Sequence, residues 1–182
     1  MANHPHAHMI SGPVQGMFLQ FLSSMIKPSA VLEIGTFTGY SAICLATGLR
    51  ADGELHTIEL REEDARLARS NFERTNQADR IILHLGNALD IIPTLDKTWD
   101  LVFIDADKPA YAEYYSMVLP RVRKGGYILA DNVLFHGQVL EEPVKGKNAV
   151  AIQKFNDLVQ GDPAVENVLL TIRDGLMLIR KK

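Results

Sequence analysis

The sequence predicts an α/β fold: a single doubly wound, mostly parallel sheet of seven strands with an antiparallel hairpin at the C-terminus. Three observations carry the expectation. Short apolar runs alternate with longer segments of helical period, the mark of strand–helix–strand units in one parallel sheet. Two of the runs, Leu101–Ile104 and Tyr127–Ala130, stop abruptly at Asp105 and at Asp131-Asn132, as expected where neighbouring strands end over a shared crevice. The last two runs, Val165–Leu170 and Leu176–Ile179, are split by Arg173-Asp174-Gly175, and Asp-Gly between such runs is a hairpin signal.

The elements follow in order. Pro13–Met25 has helical period, with Val14, Met17, Phe18, Phe21 and Leu22 on one apolar face, and Pro28 stops it. Ala30–Ile34 is the first strand and Tyr40–Leu49 its helix. Glu54–Ile58 is the second strand, and Glu62–Thr75 an amphipathic helix carrying Ala65, Leu67, Ala68 and Phe72. Ile81–Leu85 is the third strand, followed by a short helix ending near Leu95. After the fourth strand, Leu101–Ile104, a helix begins around Pro109, a residue favoured at the first helical position. Lys124-Gly125-Gly126 is a turn that launches the fifth strand. Asn148–Val159 is a further helix.

A chain of 182 residues is long enough for one domain with a sizeable core, and no linker, repeat or low-complexity segment divides it. Residues 1–182 are expected to form one domain, with 1–8 a flexible tail along which His4, His6 and His8 alternate. The apolar fraction of 47% is that of a globular protein. A net charge of −3 with no Lys/Arg cluster argues against nucleic acid as a partner. No apolar run reaches the roughly 18 residues of a membrane span, and the N-terminus lacks the basic start and apolar core of a signal peptide. The single cysteine, Cys44, suits a reducing compartment and a packing role. A cytoplasmic protein without a membrane partner is the expectation.

Asp105, Asp131 and Asn132 would offer three hard oxygens to one point above the sheet, with the ammonium of Lys108 close by. Oxygen donors at a strand edge suit Mg²⁺, which keeps positions open for water or substrate. Other roles compete: Asp131-Asn132 as a plain turn, Lys108 as a solvated helix start, and Asp107 as a helix cap ahead of Pro109.

Between the first strand and its helix lies Glu33-Ile-Gly35-Thr-Phe-Thr-Gly39-Tyr-Ser41. Its Gly-x-x-x-Gly spacing matches neither the dinucleotide fingerprint nor the phosphate-gripping P-loop. A carboxylate at Glu33 would repel phosphate and orient a cationic amino-acid group instead. Glu59 closes the second strand 20 residues after Gly39, the distance at which an acid commonly receives ribose hydroxyls. A nucleoside with a positive, phosphate-free tail fits both, and S-adenosylmethionine (SAM) is such a molecule.

These residues resemble the metal- and SAM-dependent O-methyltransferases of the catechol and caffeoyl-CoA type, over nearly the whole chain from Met9 onward. Leu32–Ser41 looks like that family's first SAM motif, Ile58-Glu59 like its ribose-binding acid, and Gly86-Asn-Ala88 like its adenine-contacting segment. Phe103–Lys108 and Asp131-Asn132 resemble its metal and catalytic motifs. Met9-Ile-Ser-Gly12 followed by Gly16 is similar to the segment covering SAM. The resemblance implies SAM contacts from Met9, Glu33, Gly35, Tyr40 and Ser41, and from Glu59, Leu60, Gly86, Ala88 and Asp105. Asp105, Asp131 and Asn132 would hold Mg²⁺ (or Mn²⁺ or Ca²⁺), and Lys108 would act as base beside Asp105.

The implied reaction is methyl transfer to a hydroxyl of a phenolic, catechol-type small molecule. Alternatives are a caffeoyl-CoA-like thioester, a natural-product hydroxyl, or RNA. A homodimer is the implied assembly. Two departures stand out: family members carry more N-terminal helical sequence, and the region Val168–Arg173 lacks the glutamate that contacts a substrate hydroxyl in animal catechol enzymes. Tyr111, Tyr114, Tyr115 and Trp99 are expected to serve mainly in packing. The aperiodic Leu134–Lys147 is expected to shape the acceptor site, with His136 a lesser candidate base.

Overall fold

The computed structural model describes residues 11–182, so Met9 and the expected tail 1–8 lie outside the described residues. The strands are β1 (Ala30–Ile34), β2 (Glu54–Glu59), β3 (Ile81–Leu85), β4 (Trp99–Ile104), β5 (Val122–Asp131), β6 (Val165–Leu170) and β7 (Leu176–Lys181). They form one seven-stranded sheet in the order β3-β2-β1-β4-β5-β7-β6. All neighbours are parallel except β7, which runs antiparallel to both β5 and β6. This is the expected doubly wound sheet with its closing hairpin.

The helices are α1 (Gly12–Ile26), α2 (Tyr40–Ala46), α3 (Glu62–Phe72), α4 (Ala88–Ile91), α5 (Tyr111–Val118) and α6 (Lys147–Gly161). Side chains alternate along each strand, so each face of the sheet feeds its own core. Val31, Leu55, Leu101, Phe103 and Leu129 pack with α1, α2 and α3. Leu32, Ile34, Val102, Ile104 and Ile128 pack with α4, α5 and α6. Coverage on both faces is why β1 and β4 are almost continuously apolar in sequence. Among the described residues no helix is long and apolar enough to cross a membrane.

Two elements differ from expectation. Lys124-Gly125-Gly126 is no turn; it lies inside the ten-residue β5. Opposite it, the β4 register jumps from Trp99↔Val122 to Leu101↔Tyr127, a bulge that Gly125 accommodates at φ +72°. Helix α1 has the expected extent but presents a different face. Val14, Met17, Phe21 and Met25 are 71%, 50%, 62% and 71% exposed, while Gln15, Gly16, Leu19, Leu22 and Ser23 are buried. The cause is close approach to α2. A Cβ at Gly16 would collide with the Tyr40 ring, and Ser23 Oγ donates to the Leu45 carbonyl at 2.6 Å. Tight packing selects small and polar residues for the inner face, which hydrophobic periodicity alone misassigns.

The carboxyl ends of β1, β2 and β4 are tied together just beyond the sheet. Gly35 N–H donates to the Ile58 carbonyl, Asp105 N–H to Ile34 and Gly86 N–H to Glu59, at 2.8–3.0 Å. These bonds hold three loops as a rigid rim.

Candidate active site

That rim encloses a cavity of about 1090 Å³ at the switch between β1 and β4, where the chain winds off in opposite directions. This is the position at which ligands enter open α/β sheets. The volume suffices for a nucleoside-sized cofactor together with a small aromatic molecule.

One half of the cavity is built from the ends of β1, β2 and β3. Gly35 has φ +98°, and a Cβ there would collide with the Asp105 carbonyl, so the residue must be glycine for the two loops to meet. Glu59 accepts the Phe37 N–H at 2.7 Å through Oε2 and the Arg61 N–H at 2.9 Å through Oε1. Both oxygens keep a further lone pair for a ligand hydroxyl. Leu60, 70% exposed, lines the same wall, and Gly86 and Ala88 face it from the start of α4, where Asn87 caps the helix through Leu89 N–H at 3.0 Å. Tyr40 and Ser41 reach the cavity from the first turn of α2.

Glu33 does not line the wall. It is fully buried beneath the loop and accepts the Thr57 hydroxyl at 2.5 Å. Burial pushes its carboxyl up to about 8, the Ser41 and Thr57 hydroxyls pull it down, and the charges of Asp105 and Glu59 raise it. Glu33 thus stands directly beneath the glycine loop, with burial favouring its protonated form.

The other half is built from β4 and β5. Lys108 Nζ donates to Asp105 Oδ1 at 3.1 Å, Asn132 Oδ1 at 2.8 Å and the Tyr111 hydroxyl at 2.7 Å. One ammonium therefore gathers oxygens from the ends of both strands. Tyr111 in turn donates to the Asp131 carbonyl at 3.0 Å, and burial raises its phenol well above the usual range, which keeps the proton in place. Asn132 holds its side chain there from the left-handed region, φ +59°. Asp131 Oδ1 accepts its neighbour's N–H from Asn132 at 2.8 Å, and Oδ2 accepts Gln15 Nε2 at 2.7 Å. Burial pushes the Asp131 carboxyl up to about 6, and Asp105 adds to the rise; Gln15, the Asn132 N–H and Lys108 oppose it.

The donor set fits a divalent ion of the hard class. Among the described residues no group of three or more His, Cys, Asp and Glu is arranged as a metal site. What converges is two carboxylates and a carboxamide, oxygen ligands that suit Mg²⁺, Mn²⁺ or Ca²⁺ and not a soft metal. The desolvated Asp131 beside Asp105 is an electrostatic demand for positive charge.

Asp107 stands at the start of the turn before α5 but makes no capping bond; its carboxylate accepts the Tyr114 hydroxyl at 2.6 Å, so the expected cap is replaced by a side-chain clamp. Trp99 is buried as expected, and Tyr115 is anchored to Asp162 at 2.8 Å. From the aperiodic Leu134–Lys147 only Phe135 and His136 reach the cavity. His136 is mostly exposed, and its backbone N–H is held by Asp174 Oδ1 at 2.6 Å.

Several wall residues escaped sequence reasoning. Arg173 and Asp174 line the cavity because the β6–β7 turn folds back onto the end of β5, with Val133 and Leu134 N–H bound to the Gly175 and Asp174 carbonyls. The Asp-Gly hairpin signal located this turn, and only the antiparallel placement of β7 puts it over the site. Ser11, Phe37 and Asn148 also line the cavity, and Gln15 reaches Asp131 from beneath. Ser11 and Phe37 fall inside segments already likened to SAM-binding motifs, whereas no local pattern marks Asn148 or Gln15.

A family model described as O-methyltransferase matches residues 1–182. A catechol O-methyltransferase of Niastella koreensis is 36% identical over 162 residues, covering 87% of this chain and 73% of that protein. Caffeoyl-CoA O-methyltransferase 1 of Eucalyptus globulus is 30% identical over 191 residues, covering 99% and 78%. An O-methyltransferase from Bacillus cereus, solved in complex with SAH, superposes with a TM-score of 0.92 at 36% identity, covering 100% of this chain and 86% of that one. The glycine loop, the acid ending β2 and the cavity between them accord with these likenesses, and the chain belongs to the O-methyltransferase family as a SAM-dependent enzyme.

Proposed function

We propose that this enzyme transfers the methyl group of SAM to one hydroxyl of a vicinal dihydroxy aromatic, and that the reaction requires Mg²⁺ or a similar divalent ion. The observation that carries the reading is the convergence of Asp105 and Asn132 on Lys108 Nζ, with the carboxylate of Asp131 alongside, in one wall of the cavity. Two relatives named for catechol and caffeoyl-CoA support the acceptor class.

Asp105, Asp131 and Asn132 would hold the ion, and the chemistry it supplies is Lewis-acid stabilisation of a phenolate whose parent phenol ordinarily ionises near pH 10. Lys108, in its amine form, takes the proton of the acceptor hydroxyl at Nζ. Tyr111 keeps that nitrogen pointed between the ends of β4 and β5. Glu59 receives ribose hydroxyls, and Gly35 lets the backbone approach the sulfonium side. Asp105 belongs to both halves, since the Gly35 loop packs on its carbonyl while its carboxylate meets Lys108. Fixing both reactants on one rigid rim supplies much of the rate through orientation.

The test is an assay of the purified enzyme with SAM and, in parallel, protocatechuate, caffeate and caffeoyl-CoA, each with Mg²⁺ or EDTA. Methyl ether from a catechol acceptor that disappears with EDTA and returns with Mg²⁺ supports the reading. Product that persists in EDTA overturns the metal requirement; methylation of the thioester alone replaces the free catechol as substrate.

A further inference from the structure

We infer that Gln15, on helix α1, is a positioning residue for the divalent-ion site: it sets the orientation of the Asp131 carboxylate from the far end of the chain. The inference rests on the metal-dependent reading above. The Gln15 side chain is fully buried at the first turn of α1, and its Nε2 donates to Asp131 Oδ2 at 2.7 Å across 116 residues of sequence. A glutamine at such a position requires a reason. Burying a carboxamide costs free energy unless it is hydrogen-bonded, and a leucine would serve packing alone. Here the amide nitrogen is spent on one carboxylate oxygen, and Oε1 is left buried with no hydrogen-bond partner among the described residues. The group thus makes one strong, charge-assisted bond and bears the cost of an unsatisfied oxygen.

The other Asp131 oxygen is fixed by the N–H of Asn132 at 2.8 Å. With each oxygen holding one donor, the carboxylate plane cannot rotate, and its remaining lone pairs have fixed directions. Among the described residues the Asp105 carboxylate has no such second anchor and is held through Lys108. Partners of this kind in metal sites typically alter metal affinity or activity by about 10–100-fold when removed. The rest of α1's inner face explains how the glutamine is held. Gly16 packs against Tyr40, which lines the cofactor half, and Ser23 is bonded to α2. The helix is clamped along its length, so the Gln15 side chain is delivered to a fixed point.

The test uses Mn²⁺ as probe, read by the EPR signal of free ion in titrations of the full chain with SAH present, without turnover. For Gln15→Met, which keeps length and volume but cannot donate, Mn²⁺ affinity is expected to fall about 10–100-fold, with SAH affinity changed less than about threefold. A purely structural role predicts the opposite pattern: a lowered Tm with Mn²⁺ affinity intact, which overturns the inference. If wild-type enzyme binds no Mn²⁺ at all, it is the metal-dependent reading that fails. Should Gln15→Met not fold, the wild type suffices. With ¹⁵N-glutamine labelling, one protected side-chain amide is expected to shift on Mg²⁺ addition and saturate with it; no glutamine amide responding overturns the proposal.

Discussion

Lys108 Nζ lies 2.8 Å from Asn132 Oδ1, a bond that closes 24 residues of chain and ties the end of β4 to the end of β5. The ammonium has no free donor left, since Asp105 and Tyr111 take the other two. Lys108 is therefore the cation that keeps the oxygen set assembled, and the proposed base role adds a second demand on the same nitrogen. Lys108→Met is predicted to lower kcat by about 10²–10⁴-fold, the range of a general base. SAH affinity should stay within a few-fold of wild type by calorimetry, because Glu59 and the glycine loop are untouched. A variant retaining more than a tenth of kcat removes Lys108 from the base role.

Gly35 carries a second prediction. Its φ of +98° strains any L-residue, and an added Cβ meets the Asp105 carbonyl, which is backbone and cannot swing aside. Gly35→Ala should cost about 3 kcal/mol or more, combining backbone strain with collision. Gly161→Ala, where a Cβ meets nothing, should change stability by less than about 0.5 kcal/mol. Urea midpoints of the two variants check the contrast.

The buried acid Glu33 gives a pH dependence whose sign is fixed by its environment. Its folded-state proton affinity is raised from 4.5 to about 8. Below pH 4.5 the group is protonated in both states and its contribution is intact. As pH rises from there towards 8 the unfolded chain releases the proton first, so stability falls, and the fall ends once the folded form also ionises. The loss is on the order of 5 kcal/mol across that window. Glu33→Gln should remove the slope, so its unfolding free energy relative to wild type rises between pH 5 and 8. Parallel curves for the two proteins contradict the buried, protonated acid.

Helix α1 separates hydrophobicity from burial. Leu19 is wholly buried against α2, so Leu19→Ala should cost about 2–5 kcal/mol. Phe21 is mostly exposed, and Phe21→Ser should cost under about 0.5 kcal/mol in the monomeric chain at low concentration. Equal losses at the two positions contradict the observed face.

Much of this was legible from residue order, for physical reasons. Strands buried on both faces must be largely apolar, so β1 appears with its observed ends, and β3, though it lies at the sheet edge and is partly exposed, is marked by its own short apolar run. Polar residues at strand ends are conspicuous against that background, which is how Asp105, Asp131, Asn132 and Glu59 stand out. What was hidden depends on distance along the chain. Gln15 meets Asp131 only because α1 lies along α2, and Asp174 meets His136 only because β7 runs back beside β5. Gly125-Gly126 was misleading because the same glycines that make turns also make bulges. Glu33 lies in the expected loop, and its full burial was hidden because nothing local shows that Thr57 of the next strand bonds it.

The account turns on whether Asp105, Asp131 and Asn132 grip one divalent ion. The direct measurement is calorimetric titration of Mn²⁺ into the SAH-loaded enzyme and into Asp131→Ala. The prediction is one site per chain in the wild type and a loss of at least about tenfold in affinity in the variant, with SAH binding retained. Absence of that site in the wild type, or undiminished affinity in Asp131→Ala, contradicts it.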